Sequence, residues 1–82
     1  MAYVFATTYS SNNEKMYLTE DVDFSKSVIF AKKFNSEKDC EYFLSNRFLT
    51  ISDRISRQKL RKGVFVTTIN CLGKVVKEDR FI

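Results

Sequence analysis

The stretch Ser36-Glu-Lys-Asp-Cys-Glu-Tyr-Phe-Leu-Ser-Asn-Arg-Phe48 decides how this chain folds. Ser36 is a good N-cap, with Asp39 three residues on as in a shortened capping box. Glu37, Asp39 and Glu41 stand in the early turns, where the helix dipole favours negative charge, and Arg47 stands at the far end, where it favours positive charge. Cys40, Phe43, Leu44 and Phe48 recur at i, i+3, i+4 and i+8, which lines up one apolar stripe. The spacing predicts one main helix over about residues 36–48, with Phe43 mid-stripe and Tyr42 one position off it. Such a stripe must be laid on a sheet.

On both sides of the helix the period drops to two. Tyr3-Val-Phe-Ala-Thr-Thr-Tyr9 is aromatic and β-branched, placing Tyr3, Phe5, Thr7 and Tyr9 on one face of a strand and Val4, Ala6 and Thr8 on the other. Ser10 to Asn13 reads as a turn because Asn tolerates positive φ, and Lys15 to Thr19 returns as a second strand. Residues 20–27, with Glu20, Asp21 and Asp23, read as a loop. Ser27 to Phe34 fits either a strand at Val28-Ile29-Phe30 or a short helical turn. Ile51 to Lys62 also stays open: Ser52 is a possible cap for a second helix with Ile51 and Ile55 inward, but Leu60 falls off that stripe. Val64 to Ile69 reads as a central strand, Asn70 to Lys74 as a turn with Gly73 at positive φ, and Val75 to Phe81 as an edge strand. The expected class is α+β, a small antiparallel sheet with one main helix across it in the order β-β-α-β-β.

Eighty-two residues leave room for one domain spanning 1–82. At 44% hydrophobic and 15% aromatic the chain can build a core, so disorder is not expected. Met1 to Ser10 lacks the basic-then-apolar order of a signal peptide, and no run of about 18 apolar residues exists. A cytoplasmic protein with no membrane partner is expected. Cys40 and Cys71 are far apart and the chain has no His, which removes zinc-finger spacings. Both thiols read as small, reduced, buried groups.

Enzymatic function classes fail by absence. Without His there is no Ser-His or Cys-His pair and no commonest general base. Gly63 and Gly73, the two glycines, lie in no phosphate-cradling motif. Glu20, Asp21 and Asp23 lack the later ligands of a calcium loop. No catalysis, cofactor or metal is expected.

Charge is what remains. The net +4 hides an asymmetry, because residues 1–45 are acidic overall and residues 46–82 carry nine bases against three acids. Five of the nine residues from Arg54 to Lys62 are basic: Arg54, Arg57, Lys59, Arg61 and Lys62. If the segment is helical, Arg54, Arg57 and Arg61 share one face at a spacing suited to bidentate grip on successive phosphates, with Arg47 extending the patch. These six residues are the candidate partner-binding site, for RNA or for an acidic surface. Tyr3, Tyr9, Tyr17 and Tyr42 are candidate base-stacking side chains, although most aromatics are needed in the core. A ribonucleoprotein-type K/R-G-F/Y-G/A-F sequence is absent.

Met16-Tyr17-Leu18-Thr19, Ala31-Lys32-Lys33-Phe34-Asn35-Ser36-Glu37 and Cys40-Glu41-Tyr42-Phe43-Leu44 together resemble the layout of small early host-takeover proteins of large lytic tailed phages. The resemblance covers about the first half of the chain. It implies stoichiometric binding to a host defence or toxin protein. Size, charge and missing catalytic groups are also similar to phage antagonists of toxin-antitoxin endoribonucleases, for which RNA is an implied co-ligand. The expected function is therefore a non-catalytic inhibitor of a host protein. A small nucleic-acid-binding accessory protein and a structural or self-assembly module are the alternatives. The Val75–Phe81 edge offers a route to a homodimer by sheet extension.

Overall fold

The computed structural model describes residues 2–82. Five antiparallel strands form one sheet: β1 (Tyr3–Tyr9), β2 (Lys15–Leu18), β3 (Phe24–Ser25), β4 (Phe65–Ile69) and β5 (Val75–Arg80). Their order across the sheet is β3-β2-β1-β4-β5. Two helices, α1 (Glu37–Asn46) and α2 (Phe48–Arg57), lie between β3 and β4 in sequence. The α+β class and the antiparallel sheet agree with the reading above, with a third strand and a second helix added.

Both hairpin turns obey one local rule. In the first, Ser10 N–H donates to Glu14 O, Asn13 N–H donates to Ser10 O, and the Ser10 hydroxyl accepts from the N–H groups of Asn12 and Glu14. In the second, Asn70 plays the part of Ser10 and Gly73 that of Asn13. Positive φ falls at the same place in each, 64° at Asn13 and 79° at Gly73, where Asn and Gly tolerate it best.

The acidic segment read as a loop contains β3. Its two residues pair with β2 through Tyr17–Ser25 and Leu18–Phe24, and Phe24 is buried. A turn bonded by Thr19 N–H to Asp23 O leads into it, with Val22 at φ 57°. In the ambiguous stretch that follows, the helical-turn alternative holds over the strand, in 3-10 form. Val28–Phe30 form a single 3-10 turn capped by the Ser27 hydroxyl, after which Ala31 and Phe34 bridge to Thr19 and Val4.

Ser36 caps α1 as expected, its hydroxyl accepting from Asp39 N–H at 3.1 Å. The helix stops two residues earlier than the stripe suggests. Arg47, at φ −124° and ψ 24°, closes α1 and opens α2, so Phe48 starts the second helix and is 41% exposed instead of joining the core. The cap of α2 is therefore Arg47 and not Ser52, which lies inside the helix. The buried residues Cys40, Leu44, Ile51 and Ile55 are spaced four, seven and four apart, a pattern that one unbroken helix also satisfies. Such a helix would run about 32 Å, against about 23 Å for a seven-residue strand, so it would overhang the sheet. The break folds both stripes onto one core with Val4, Ala6, Leu18, Phe24, Val64 and Val66. Phe43 is only partly buried, and Tyr42 is exposed.

Cys40 is fully buried, and burial, with the nearby Glu41 and Glu37 carboxylates, pushes its thiol up to about 12. Cys71 departs from the expectation: it is exposed, in the turn between β4 and β5. Among the described residues no helix is long and apolar enough to cross a membrane.

Candidate functional site

The basic segment is helical for only half its length. The α2 helix ends at Arg57 in a Schellman arrangement: Leu60 N–H donates to Ile55 O at 3.0 Å and Lys59 N–H to Ser56 O at 3.2 Å. Lys59 therefore takes the left-handed conformation, φ 55°, at a position where Gly is usual. Leu60 then swings back against the core. This corrects the helical-face geometry. Arg54 and Arg57 stand one turn apart on α2, whereas Arg61 and Lys62 lie in the linker beyond the helix stop. Arg47 sits at the opposite end of α2, about 15 Å away along the axis. Its guanidinium lies over the Phe43 ring, 4.2 Å from the centroid, which is a cation–π contact.

The six bases differ in how free their charge is. Arg57 Nε pairs with Asp53 at 3.0 Å and Arg54 lies 3.8 Å from the same carboxylate. Arg54 Nε is also buried without a hydrogen-bond partner among the described residues, so this side chain is partly desolvated. Lys59, Arg61 and Lys62 are exposed and form no ion pair among the described residues.

The linker that carries them is fixed to β1. Arg61 N–H donates to Tyr9 O at 2.8 Å, and the buried Thr8 hydroxyl lies 2.7 Å from Gly63 O and 3.1 Å from Arg61 O. Thr8 faces the helix side of the sheet and has a single hydroxyl proton to share between the two carbonyls. It thereby holds Arg61 and Lys62 beside the end of the first strand. Sequence reasoning missed this role, since a Thr in a β-branched strand carries no sign that its hydroxyl meets a carbonyl 53 or 55 residues away.

Tyr9 belongs to the opposite face of the sheet, away from both helices. Pairing of Thr7 with Tyr17, Tyr9 with Lys15, Thr7 with Phe65, and Phe65 with Arg80 places Tyr3, Phe5, Thr7, Tyr9, Tyr17 and Phe65 there, with Lys15 and Arg80 at the margins. Three of the four candidate stacking tyrosines therefore share one face. Tyr42 does not, being on α1. The rings meet edge to face, Tyr9 with Phe65 at 5.6 Å and Phe5 with Tyr17 at 5.8 Å. Phe5 is buried beneath its neighbours, while Tyr3, Tyr9, Tyr17 and Phe65 keep part of their surface in solvent.

A chain of hydrogen bonds runs beneath the rings. Thr67 donates to the Glu78 carboxylate at 3.0 Å, because an ionised carboxylate only accepts, so Thr7 must donate to Thr67 across their 2.9 Å contact. The Tyr9 hydroxyl also donates to Glu78, at 3.0 Å, and Lys15 Nζ lies 3.3 Å away. Partial burial alone would raise the Glu78 carboxyl. The bonds from Tyr9 and Thr67, together with the Lys15 charge, outweigh it and hold the group below the usual carboxylate range. The same contact, after burial as the larger cause, raises the Tyr9 phenol. Glu78 is thus ionised with its charge already matched.

The site holds no grouping of three or more metal-ligating side chains among the described residues. What it can do chemically is present cationic donors beside aromatic faces. Comparisons with protein families, with curated proteins and with solved structures find no match to this chain.

Proposed function

We propose that this chain is a non-catalytic binding protein whose segment Arg54–Lys62 engages an anionic partner. In the setting that the phage resemblance implies, it inhibits a host defence or toxin protein by stoichiometric binding. The single observation that carries the reading is the clamped linker: Arg61 and Lys62 are exposed and unpaired among the described residues, yet their backbone is held by Thr8 and Tyr9. Charges that only keep a protein soluble need no fixed backbone. Charges that must meet a partner's anions gain from being held in place, because less freedom is lost on binding. Action as a small nucleic-acid-binding accessory protein is favoured by the aromatic face that begins at Tyr9.

Reversal of the exposed bases, Arg57→Glu, Arg61→Glu and Lys62→Glu together, tests the reading. Stability should stay within about 1 kcal/mol of wild type, since exposed charges contribute little to folding. Retention of the protein on its bacterial partner should be lost, and for wild type it should survive nuclease if the partner is an acidic protein. Wild-type retention and biological effect in the triple variant would leave the segment a solvated surface, as in a structural or self-assembly module.

A further inference from the structure

We infer that the open face of the sheet, from Tyr9 and Phe65 at one end toward Tyr3 at the other, is a stacking surface for single-stranded nucleic acid. The phosphates are held by Arg61 and Arg80. The inference rests on the reading above for the role of the basic linker and goes beyond it in naming the ligand class and the rings that recognise it.

Three observations converge at the Tyr9 end. First, Tyr9 and Phe65 sit side by side on β1 and β4, two inner strands of the sheet, with partly exposed rings in edge-to-face contact. Side chains on a strand stand roughly perpendicular to the sheet, so these rings project outward, where an unpaired base can lie against them. Second, cations surround the pair. Lys15 Nζ is 5.9 Å from the Tyr9 ring centroid and the Arg80 guanidinium is 6.0 Å from that of Phe65. Arg80 in turn abuts the linker, because a Cβ added at Gly63 would lie 3.2 Å from its terminal nitrogen. Arg61 lies two residues before that glycine with its N–H bonded to Tyr9 O, so the linker backbone at Arg61 and the Arg80 guanidinium both border the Tyr9 end of the face. Lys62 lies on the helix side, beside Phe48, Ser52 and Ile55. At the other end Lys33 Nζ is 4.8 Å from the Tyr3 ring.

Third, the strands place one acid, Glu78, on this face, and its charge is matched by Lys15, Tyr9 and Thr67. The face therefore has a positive surplus without a free carboxylate to repel phosphate. Tyr3 to Tyr9 spans about 20 Å of strand, enough for several nucleotides of an extended single strand. An acidic protein surface would satisfy the cations but leave the rings without a flat partner. A duplex would satisfy the cations too, but its base faces are hidden in the stack. Aromatic faces ringed by cations suit a ligand with both phosphates and accessible base faces. RNA and single-stranded DNA share that chemistry.

The test is fluorescence anisotropy with fluorescein-labelled oligouridylate and oligothymidylate about a dozen nucleotides long, and a duplex of equal length. Both single strands should bind, and the duplex should bind at least tenfold more weakly. Tighter binding of oligouridylate than of oligothymidylate would assign the ligand to RNA, and equal binding to either strand type. Phe65→Leu and Tyr9→Leu, which keep apolar volume but remove the ring, should each weaken binding about tenfold, within the range measured for loss of one base–aromatic stack. Tyr9→Phe keeps the ring and should bind as wild type does. Tyrosine emission offers a readout that needs no variant: the chain has no Trp, and stacking on Tyr3, Tyr9 or Tyr17 should quench it as oligonucleotide is added. No binding, equal binding of duplex, or ring variants that bind like wild type while remaining folded would overturn the inference. Ring-independent binding that is lost in Arg57→Glu/Arg61→Glu/Lys62→Glu would overturn it and leave the basic-segment reading standing. Ring-dependent binding untouched by that triple variant would refute the basic-segment reading and, with it, the assignment of phosphate contact to Arg61, leaving only the stacking rings of the inference standing.

Discussion

The two faces of the sheet are made from alternate residues of the same strands, yet they are stabilised by different physics. Toward the helices β1 and β4 present Val4, Ala6 and Val66, which join Leu44, Ile51, Cys40, Phe24 and Phe34 in the apolar core. Away from them the same strands present Tyr3, Tyr9 and Phe65, braced by ring edges and by the Thr7–Thr67–Glu78–Tyr9 hydrogen-bond chain. Burial on the helix side needs only area and shape. The open face lacks a covering layer, so directed bonds hold its threonines and rings in place while Tyr3, Tyr9, Tyr17 and Phe65 keep part of their surface in solvent. One face is covered by the helices and the other is not.

That comparison breaks most visibly in the core. Leu44 is 1% exposed, so Leu44→Ala should cost about 2–5 kcal/mol, a large share of what so small a domain has. The sequence stripe alone would assign such a cost, about 3–5 kcal/mol, to Phe43→Ala. The partly buried Phe43, between Phe34 and the Arg47 guanidinium, should instead cost about 1–3 kcal/mol. Urea midpoints measured on both variants would rank them, and a larger loss at Phe43 would contradict the packing described.

On the open face the expected losses are smaller and depend on pH. Thr67→Val removes the hydroxyl that links Thr7 to Glu78 and should cost about 1–3 kcal/mol at neutral pH. Because the Glu78 carboxyl is held below its unfolded value, the stability it contributes is present above about pH 4.3 and is lost as pH falls through the folded value. The acid limb of a stability–pH profile should therefore be shallower in Thr67→Val and in Glu78→Gln than in wild type. Parallel acid limbs in all three proteins would show that the hydrogen-bond chain does not hold the carboxylate.

How much of this could be read from the sequence follows from the range of each interaction. The Tyr3–Tyr9 strand, both hairpin turns and the Ser36 cap are set by residues within four positions of one another, and they stand where the sequence puts them. The helix break at Arg47 was not legible, because no Gly or Pro marks it and the apolar spacing continues through it. Period-two alternation sorted β1 into an aromatic and an aliphatic set, but not which set the helices cover. Of the six candidate site residues, the sequence found the basic segment. It did not find the helix stop that separates Arg61 and Lys62 from Arg54 and Arg57, since Lys59 is an unusual residue for a left-handed cap. Thr8 and Arg80 were missed because their contacts with the linker are long-range.

The smallest predicted effect sharpens that last point. Lys59→Gly relieves the left-handed strain but frees the unfolded chain, for a net gain of about 0.5 kcal/mol. Lys59→Ala, which keeps the Cβ, should show no gain. A destabilised glycine variant in a thermal melt would mean that the Schellman stop is not where α2 ends.

The central claim is that binding occurs on the open face and its basic margin, opposite the helices. The most direct measurement is an amide chemical-shift map of the isotope-labelled protein as oligouridylate is added. The account predicts that shifts concentrate at Tyr9, Arg61, Phe65 and Arg80, and weaken across the sheet toward Tyr3. Shifts confined to the outer surfaces of α1 and α2, to the exposed Val28–Phe30 turn, or absent at saturating oligonucleotide would contradict it.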